Sequence, residues 1–350
     1  MVTAVVDPPE RSVELWTMAT CIYCRGSTGP FTREHVVQEA FGKFQNALVI
    51  RDAVCHEYNQ EFGRTIDLNL SRSSVEGLDR YRFGVKEPAE IEKFKYDAVS
   101  LRTKNAGDFA DARFEQRADA SGKKLVARLL PGVAIHRKNG EGFVHLTEAQ
   151  IADGTWLQNL ELDWRRGIKV YGGKDAEERI RAVLRGQGVV PTQWRPLVPP
   201  QDGEVTVEQE FEVTPQMQKA FAKIAFNYLA YCEGPEYALL GEFDGIRRFI
   251  RYGERPTSSL PPVISHPGLP FSKIDAGKVV LQDGEKRPVV HFVSLRSNAE
   301  HNVVGAITLF AFMTHRVMLA EAFPGRLPAP RAHLYNIAMK RVGELGLSPG

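Results

Sequence analysis

The chain is short of net charge, of cysteine and of long apolar runs, and each shortage narrows its function. Lys and Arg number 45 against 43 Asp and Glu, a formal net charge of +2 over 350 residues. Bulk electrostatics therefore does not announce a polyanionic partner. No stretch approaches the ~20 consecutive apolar residues that a membrane span needs, and mean hydropathy is −0.27. The N-terminal MVTAVVDPPERSVELW lacks a basic start followed by an apolar core, so it does not read as a secretory signal. These absences lead to the expectation of a soluble, cytoplasmic protein with no membrane partner. The remaining composition, 43% hydrophobic and 25% charged, is that of a globular chain and excludes extensive disorder. The length suggests two domains or three.

The four cysteines are Cys21, Cys24, Cys55 and Cys232. Without an export signal, three cysteines in the first 55 residues point to metal binding or catalysis rather than a disulfide framework. Cys232 closes an apolar helical stretch and reads as an inert thiol.

Residues 18–75 form a compact segment. A CxxC turn opens it, EHVVQEAFG follows and stops at Gly42, ALVI at 47–50 has strand character, and a helix is expected from about Cys55 to Leu70. This predicts a small ββα unit. The charged stretch 76–90, ending in Lys86-Glu87-Pro88, reads as a linker. From 92 to 172 the segments FKYDAVSLRT, ARFEQRA, KLVARLL and GFVHL alternate polar and apolar positions as strands do. DAEERIRAVLR at 175–185 reads as a helix. The proline-rich run 189–203 reads as a connector, which puts a possible subdivision near 190–203. Thr214-Pro215 is a helix start of capping residue plus proline. The helix it opens carries Met217, Phe221, Ile224, Tyr228 and Tyr231 on one face. A second helix is expected in PEYALLGEFDGIRRFIRYG. KVVLQDG, PVVHFVSL and AITLFAFM read as strands, the first two as a hairpin, after a proline-rich loop at 256–270. The fold class is thus α+β, with a small N-terminal module followed by a larger mixed region over 90–350 and no βαβ rhythm.

Chemistry concentrates in residues 21–59. Two thiolates two residues apart in a tight turn converge on one Zn²⁺, and Cys55 adds a third sulfur 31 residues on. Glu34-His35 lies between them, and Asn59 lies early in the closing helix. A histidine takes a proton from water near neutral pH, and an adjacent oxygen-bearing side chain holds a hard divalent cation. That combination suits metal-assisted phosphodiester hydrolysis.

The series CxxC, T-x-E-H-V, a glycine-bearing loop, V-C-x-x-x-N, F-G and I-D resembles the HNH endonucleases, in their bacterial zinc-knuckle branch with a ββα-metal module. The resemblance covers about residues 18–72. It implies that His35 is the general base and that Glu34 and Asn59 are ligands of a catalytic Mg²⁺ or Mn²⁺. It implies that Asp52, or alternatively Asn46, orients the histidine, and that DNA is the substrate. The family's second CxxC puts a cysteine where this chain has Tyr58. The structural Zn²⁺ set is then Cys21, Cys24 and Cys55 with His56 as the fourth ligand, or the zinc has been lost and packing holds the knuckle. The alternative function is a non-catalytic zinc-knuckle module that binds nucleic acid or protein.

Charge is unevenly distributed. Residues 1–75 hold seven Lys or Arg against nine Asp or Glu, so the positive excess lies beyond them. Within 111–140, Lys123, Lys124 and Arg128 mark a candidate phosphate-contacting surface. Glu300-His301-Asn302 repeats the acid–histidine pair without cysteines and reads as a loop. The histidines at 136, 145, 266, 291, 315 and 333 have no ligand spacing.

Overall fold

The computed structural model describes residues 19–104, 107–190, 193, 197–198, 206–256, 261–268, 278–280 and 286–346, with backbone alone at 278–280 and 286–288. The expected lead-in and most of the 189–203 connector lie outside the described residues, as do 257–260 and 269–270 of the expected 256–270 loop, whose middle is a strand (Val263–Pro267). The chain is α+β, as expected, and its strand pairs are antiparallel.

Strand β1 (Phe31–His35) pairs antiparallel with β2 (Val49–Cys55), and α1 (His56–Arg64) follows at once. The expected helix does not run unbroken to Leu70. Thr65, at φ −110° and ψ −88°, separates α1 from α2 (Ile66–Ser73).

The stretch read as a linker is in fact structured: α3 (Val75–Arg82) is a buried helix capped by Ser74, whose hydroxyl accepts from Gly77 N at 2.9 Å. Its charges are internal because each finds a partner. Glu76 meets His315 at 3.2 Å, Arg80 donates to Ser71 O at 2.6 Å, and Asp79 pairs with Arg82 at 3.0 Å. A charged sequence is solvated by default, but paired and hydrogen-bonded charge tolerates burial.

An excursion follows. It comprises β3 (Val99–Lys104), β4 (Arg113–Ala118), β5 (Leu125–Leu129), β6 (Gly132–Arg137), β7 (Phe143–Thr147), α4 (Glu148–Ala152), β8 (Leu162–Tyr171), α5 (Lys174–Gly186) and β9 (Thr206–Phe211). The strands form a four-stranded sheet, β5-β4-β3-β9, and a three-stranded sheet, β7-β6-β8. The first and last strands pair from Val99↔Phe211 to Lys104↔Thr206, and Glu212 N donates to Ala98 O at 2.9 Å. Residues 99–211 therefore leave and return at one point. Their own core gathers Val133 and Ile135 of β6 with Ile180 and Leu184 of α5.

The last part begins with α6 (Pro215–Glu233), whose Thr214 cap and Pro215 start are as read. Then come α7 (Pro235–Ala238) and α8 (Asp244–Tyr252), where one continuous helix was expected; the Gly241–Phe243 turn divides them. Strand β10 (Val263–Pro267) follows, then a short hairpin of β11 (Lys278–Val280) with β12 (Lys286–Pro288). Strands β13 (Val290–Ser297), β14 (Val303–Leu309), β15 (Met313–Ala320), β16 (Arg331–Asn336) and β17 (Arg341–Leu345) complete the chain. The main sheet runs β10-β15-β14-β13-β16-β17. AITLFAFM is not one strand, because Phe310 and Ala311, both at positive φ, turn the chain between β14 and β15.

Helix α6 crosses this sheet and is buried on nearly every side. Phe221, Ile224, Phe226 and Leu229 are each at most 1% exposed, and full burial of such a side chain contributes about 1.5–3 kcal/mol. Gly305 of β14 permits the approach, since a Cβ there would lie 2.7 Å from Ala225 Cβ. One continuous core runs from Cys21, Ile22 and Tyr23 through β2, α6 and α8 to Val293, Val317 and Tyr335. The N-terminal ββα unit thus shares its interior with residues 215–337 instead of standing apart from them.

Candidate functional site

The three early cysteines meet. The Sγ atoms of Cys21, Cys24 and Cys55 all lie within 4.8 Å of one another, a cluster that can hold a metal. Cys24 and Cys55 are 3.8 Å apart, and two thiolates on a tetrahedral zinc at ~2.3 Å lie ~3.8 Å apart. The turn builds this arrangement from its backbone. Arg25 N donates to Cys21 O at 2.8 Å and Cys21 N to Gly26 O at 2.9 Å. Amides also reach the sulfurs, Cys55 N to Cys21 Sγ and Gly26 N to Cys24 Sγ, each at 3.4 Å. Burial opposes a thiolate at Cys21, but the amides at Cys24, Cys55 and Tyr23 prevail and hold its pKa below the ordinary thiol value. Burial pushes the Cys55 thiol up to about 12. The donor set fits a soft divalent ion in three of its four positions.

The fourth position differs from expectation. His56 is exposed at the first turn of α1, with Nε2 2.7 Å from Gln60 Nε2, and does not join the sulfur cluster. Tyr58 is directed to α8 instead. Its hydroxyl accepts from Arg251 Nε at 2.9 Å and from Arg251 Nη2, and the guanidinium lies 4.8 Å from its ring centroid. Burial keeps this phenol above its usual pKa despite the arginine. Arginines of α8 also grip the knuckle backbone: Arg247 Nε donates to Ile22 O at 2.6 Å and Arg251 Nη1 to Tyr23 O at 3.4 Å. A cleft of about 300 Å³ beside Cys24 is lined by Arg25, Asp244, Arg247, Arg248 and Arg251.

Strand β1 carries the acid–histidine pair. Its register with β2 slips between Thr32 and Glu34. Glu34 is 5% exposed and turns inward. Its Oε1 lies 2.5 Å from Lys223 Nζ and accepts from Asn227 Nδ2 at 3.3 Å, both residues of α6. Among the described residues, Oε2 takes no such contact. Lys223 also meets Asp67 of α2 at 2.7 Å. Burial raises the Asp67 pKa to about 6 against the pull of Lys223. Burial opposes the Lys223 ammonium, yet the two carboxylates hold its pKa above the ordinary lysine value.

His35 ends the strand half-buried, with Nε2 3.4 Å from Glu39 Oε1. Asn59 of α1 reaches back to β1. Its Nδ2 donates to Thr32 Oγ1 at 2.7 Å and to Arg33 O at 3.4 Å. The amide nitrogen is thereby anchored, which leaves the oxygen as the atom for a cation. Glu34 Oε2 and Asn59 Oδ1 are oxygen donors of the kind a hard divalent ion takes.

Asp52 lies exposed on the bulge of β2 at φ 54°, with no hydrogen bond to His35 among the described residues. Asn46, at φ 57° in the β1–β2 loop, likewise has none. Lys123 and Lys124 lie exposed in the β4–β5 turn, where the Asp119 carboxylate accepts from both their amides, at 3.0 and 3.2 Å. Arg128 is exposed on β5 opposite Glu115. These three sit on the excursion.

Lys223 and Asn227 were missed. Their signal was a polar pair four residues apart in the apolar run AFAKIAFNYLA, which puts both on one face of a buried helix. The Glu300-His301-Asn302 repeat is a turn held by Asn298 and Asn302, as read. Among the described residues no helix is long and apolar enough to cross a membrane. No family model, curated protein or solved structure matches the chain.

Proposed function

We propose that the chain is a metal-dependent endonuclease of the HNH type that hydrolyses phosphodiester bonds in DNA. The observation that carries this reading is the anchoring of Asn59. Its amide nitrogen is committed to Thr32 and Arg33, so α1 is pinned against the strand that carries Glu34 and His35. Glu34 Oε2 and Asn59 Oδ1 would hold Mg²⁺ or Mn²⁺, and that ion supplies positive charge to the developing phosphorane and the leaving oxygen. Lys223 and Asn227 fix the Glu34 carboxylate from behind through Oε1. Glu39 orients the His35 ring through Nε2, which leaves Nδ1 to take the proton of the attacking water. Cys21, Cys24 and Cys55 would hold the structural Zn²⁺ that closes the knuckle.

The test is plasmid nicking with Mg²⁺ or Mn²⁺. The wild-type chain should nick, and His35→Ala should lose about 10²–10⁴-fold of that rate. Equal nicking by both, or none by either with any divalent ion, would overturn the reading. One observation favours the second reading, a non-catalytic zinc-knuckle module binding nucleic acid or protein. A lysine ammonium already neutralises Glu34. Under that reading the chain holds zinc and never nicks.

A further inference from the structure

A cleft of about 930 Å³ opens in the excursion, between β8, α5 and Val189, Val190, Gln193 and Leu197. One wall is the outer edge of the three-stranded sheet, where β8 has no neighbouring strand. The pairing of β8 with β6 slips there: Ile135 faces Ile168, but the next residue, His136, faces Asp163. Residues 164–167 are thus looped out of register. Gly167, at φ +140° with nothing within 4 Å of a would-be Cβ, makes the loop possible.

This bulge presents Trp164, Arg165 and Arg166 to the cleft, and Lys169 and Arg181 add further positive charge. Among the described residues that line it, Glu177 is the one acid, and it pairs with Arg181. Arg165 and Arg166 are exposed, with no carboxylate partner among the described residues. The Arg165 guanidinium lies 5.4 Å from the Trp164 ring centroid. His136, on the same wall, senses this field. Burial first, then Arg166 and Lys169, hold its imidazole below the ordinary histidine pKa.

We infer that this cleft binds a single strand of nucleic acid by its phosphates. Exposed guanidiniums grip phosphate with paired N–H groups. Trp164, half-buried against the excursion's own core with Arg165 over its ring, backs the arginines and leaves phosphate as the group they contact. The volume is that of a small-ligand site, so it admits a few nucleotides of one strand and excludes a duplex. The choice of a polyanion that bears bases rests on the nuclease reading above.

The experiment measures binding of a fluorescein-labelled oligothymidylate to the full-length His35→Ala chain, without added divalent ion and over a range of salt. Adding Arg165→Gln and Arg166→Gln should weaken binding about tenfold or more. It should also lower the slope of log K against log salt by about 1.4, at ~0.7 per phosphate contact on a single strand. Adding Lys123→Gln and Lys124→Gln instead should change neither. An unchanged affinity and slope in the arginine variant overturns the proposal, as does a loss confined to the lysine variant. Equal competition by a duplex of matching sequence, or by a free mononucleotide at equal phosphate concentration, overturns the single strand as ligand. The nuclease reading fails separately. A chain that binds through Arg165 and Arg166 but never nicks removes the enzyme and keeps the cleft. A chain that nicks but binds equally well without those arginines does the reverse.

Discussion

Lys223 is a single buried ammonium shared by two carboxylates, Glu34 and Asp67, at 1% side-chain exposure. Removing one member of such a group leaves the others charged and desolvated, which costs about 3–5 kcal/mol. Lys223→Met should therefore lower unfolding free energy by that order in urea titration. Adding Glu34→Gln and Asp67→Asn should restore much of it, because neutral amides lose far less on burial. His291 sets a pH limit in a different way. Its Nε2 lies 2.9 Å from Phe41 O and its Nδ1 accepts from Phe310 N at 3.1 Å, so both nitrogens are used by a neutral ring. Burial depresses its pKa to about 4, below the ~6.5 of an unfolded histidine. The unfolded chain then binds the proton first, and stability is lost as pH falls from about 6.5 toward 4, by ~3 kcal/mol in all. His291→Gln should flatten that part of the stability–pH curve. Neither role was legible in the sequence. A lone lysine or histidine in an apolar run does not disclose the partner that makes its burial tolerable.

At the level of elements, the parts set by local pattern were legible. The CxxC turn, the Thr214-Pro215 helix start and the alternating strands of the excursion lie close to where the sequence puts them, whereas the second strand of the ββα unit runs on from 49 to 55, past the 47–50 expected. One failure arose because tertiary partners reversed a local preference. Helix α3 is charged yet buried, because His315 and Ser71 O receive Glu76 and Arg80. The turn at Phe310 and Ala311 interrupts an apolar run with two non-glycine residues at φ 52° and 54°. A left-handed alanine costs about 1 kcal/mol, so Ala311→Gly should raise the thermal midpoint by about 1–2 °C. In the candidate site, the meeting of the three cysteines was readable from their spacing, whereas the fourth knuckle position was not. Tyr58 meets Arg251, a residue 193 positions away, and no spacing rule reaches that far. Metal analysis tests the knuckle itself. About one zinc per chain is expected, falling in Cys24→Ser together with thermal stability.

At the scale of the molecule, the expected split into a head and a tail gives way to a nested layout. The ββα unit and residues 215–337 share one core, and the strand-rich excursion leaves and rejoins it through the β3–β9 pair. Joining Lys104 to Thr206 by an Asn-Gly turn closes that pair as a hairpin. The shortened chain should still unfold cooperatively and keep its metal content, while losing oligonucleotide affinity. Chain order obscured this layout, because its segments alternate between the two bodies. The modest whole-chain charge likewise averages a mildly acidic ββα unit with the basic cleft of the excursion.

The span of chain between Glu34 and Asn227, 193 positions, also has a consequence in time. A ribosome adds about 5–20 residues per second, so α6 emerges on the order of 10–40 s after β1. Through that interval Glu34 has neither Lys223 nor Asn227 behind it, and the knuckle carbonyls await Arg247 and Arg251. The acid–histidine pair is among the first parts of the chain to be synthesised, well before the α6 residues it meets in the folded protein. A nascent or truncated chain that ends before α6 carries the complete motif without the support that shapes it.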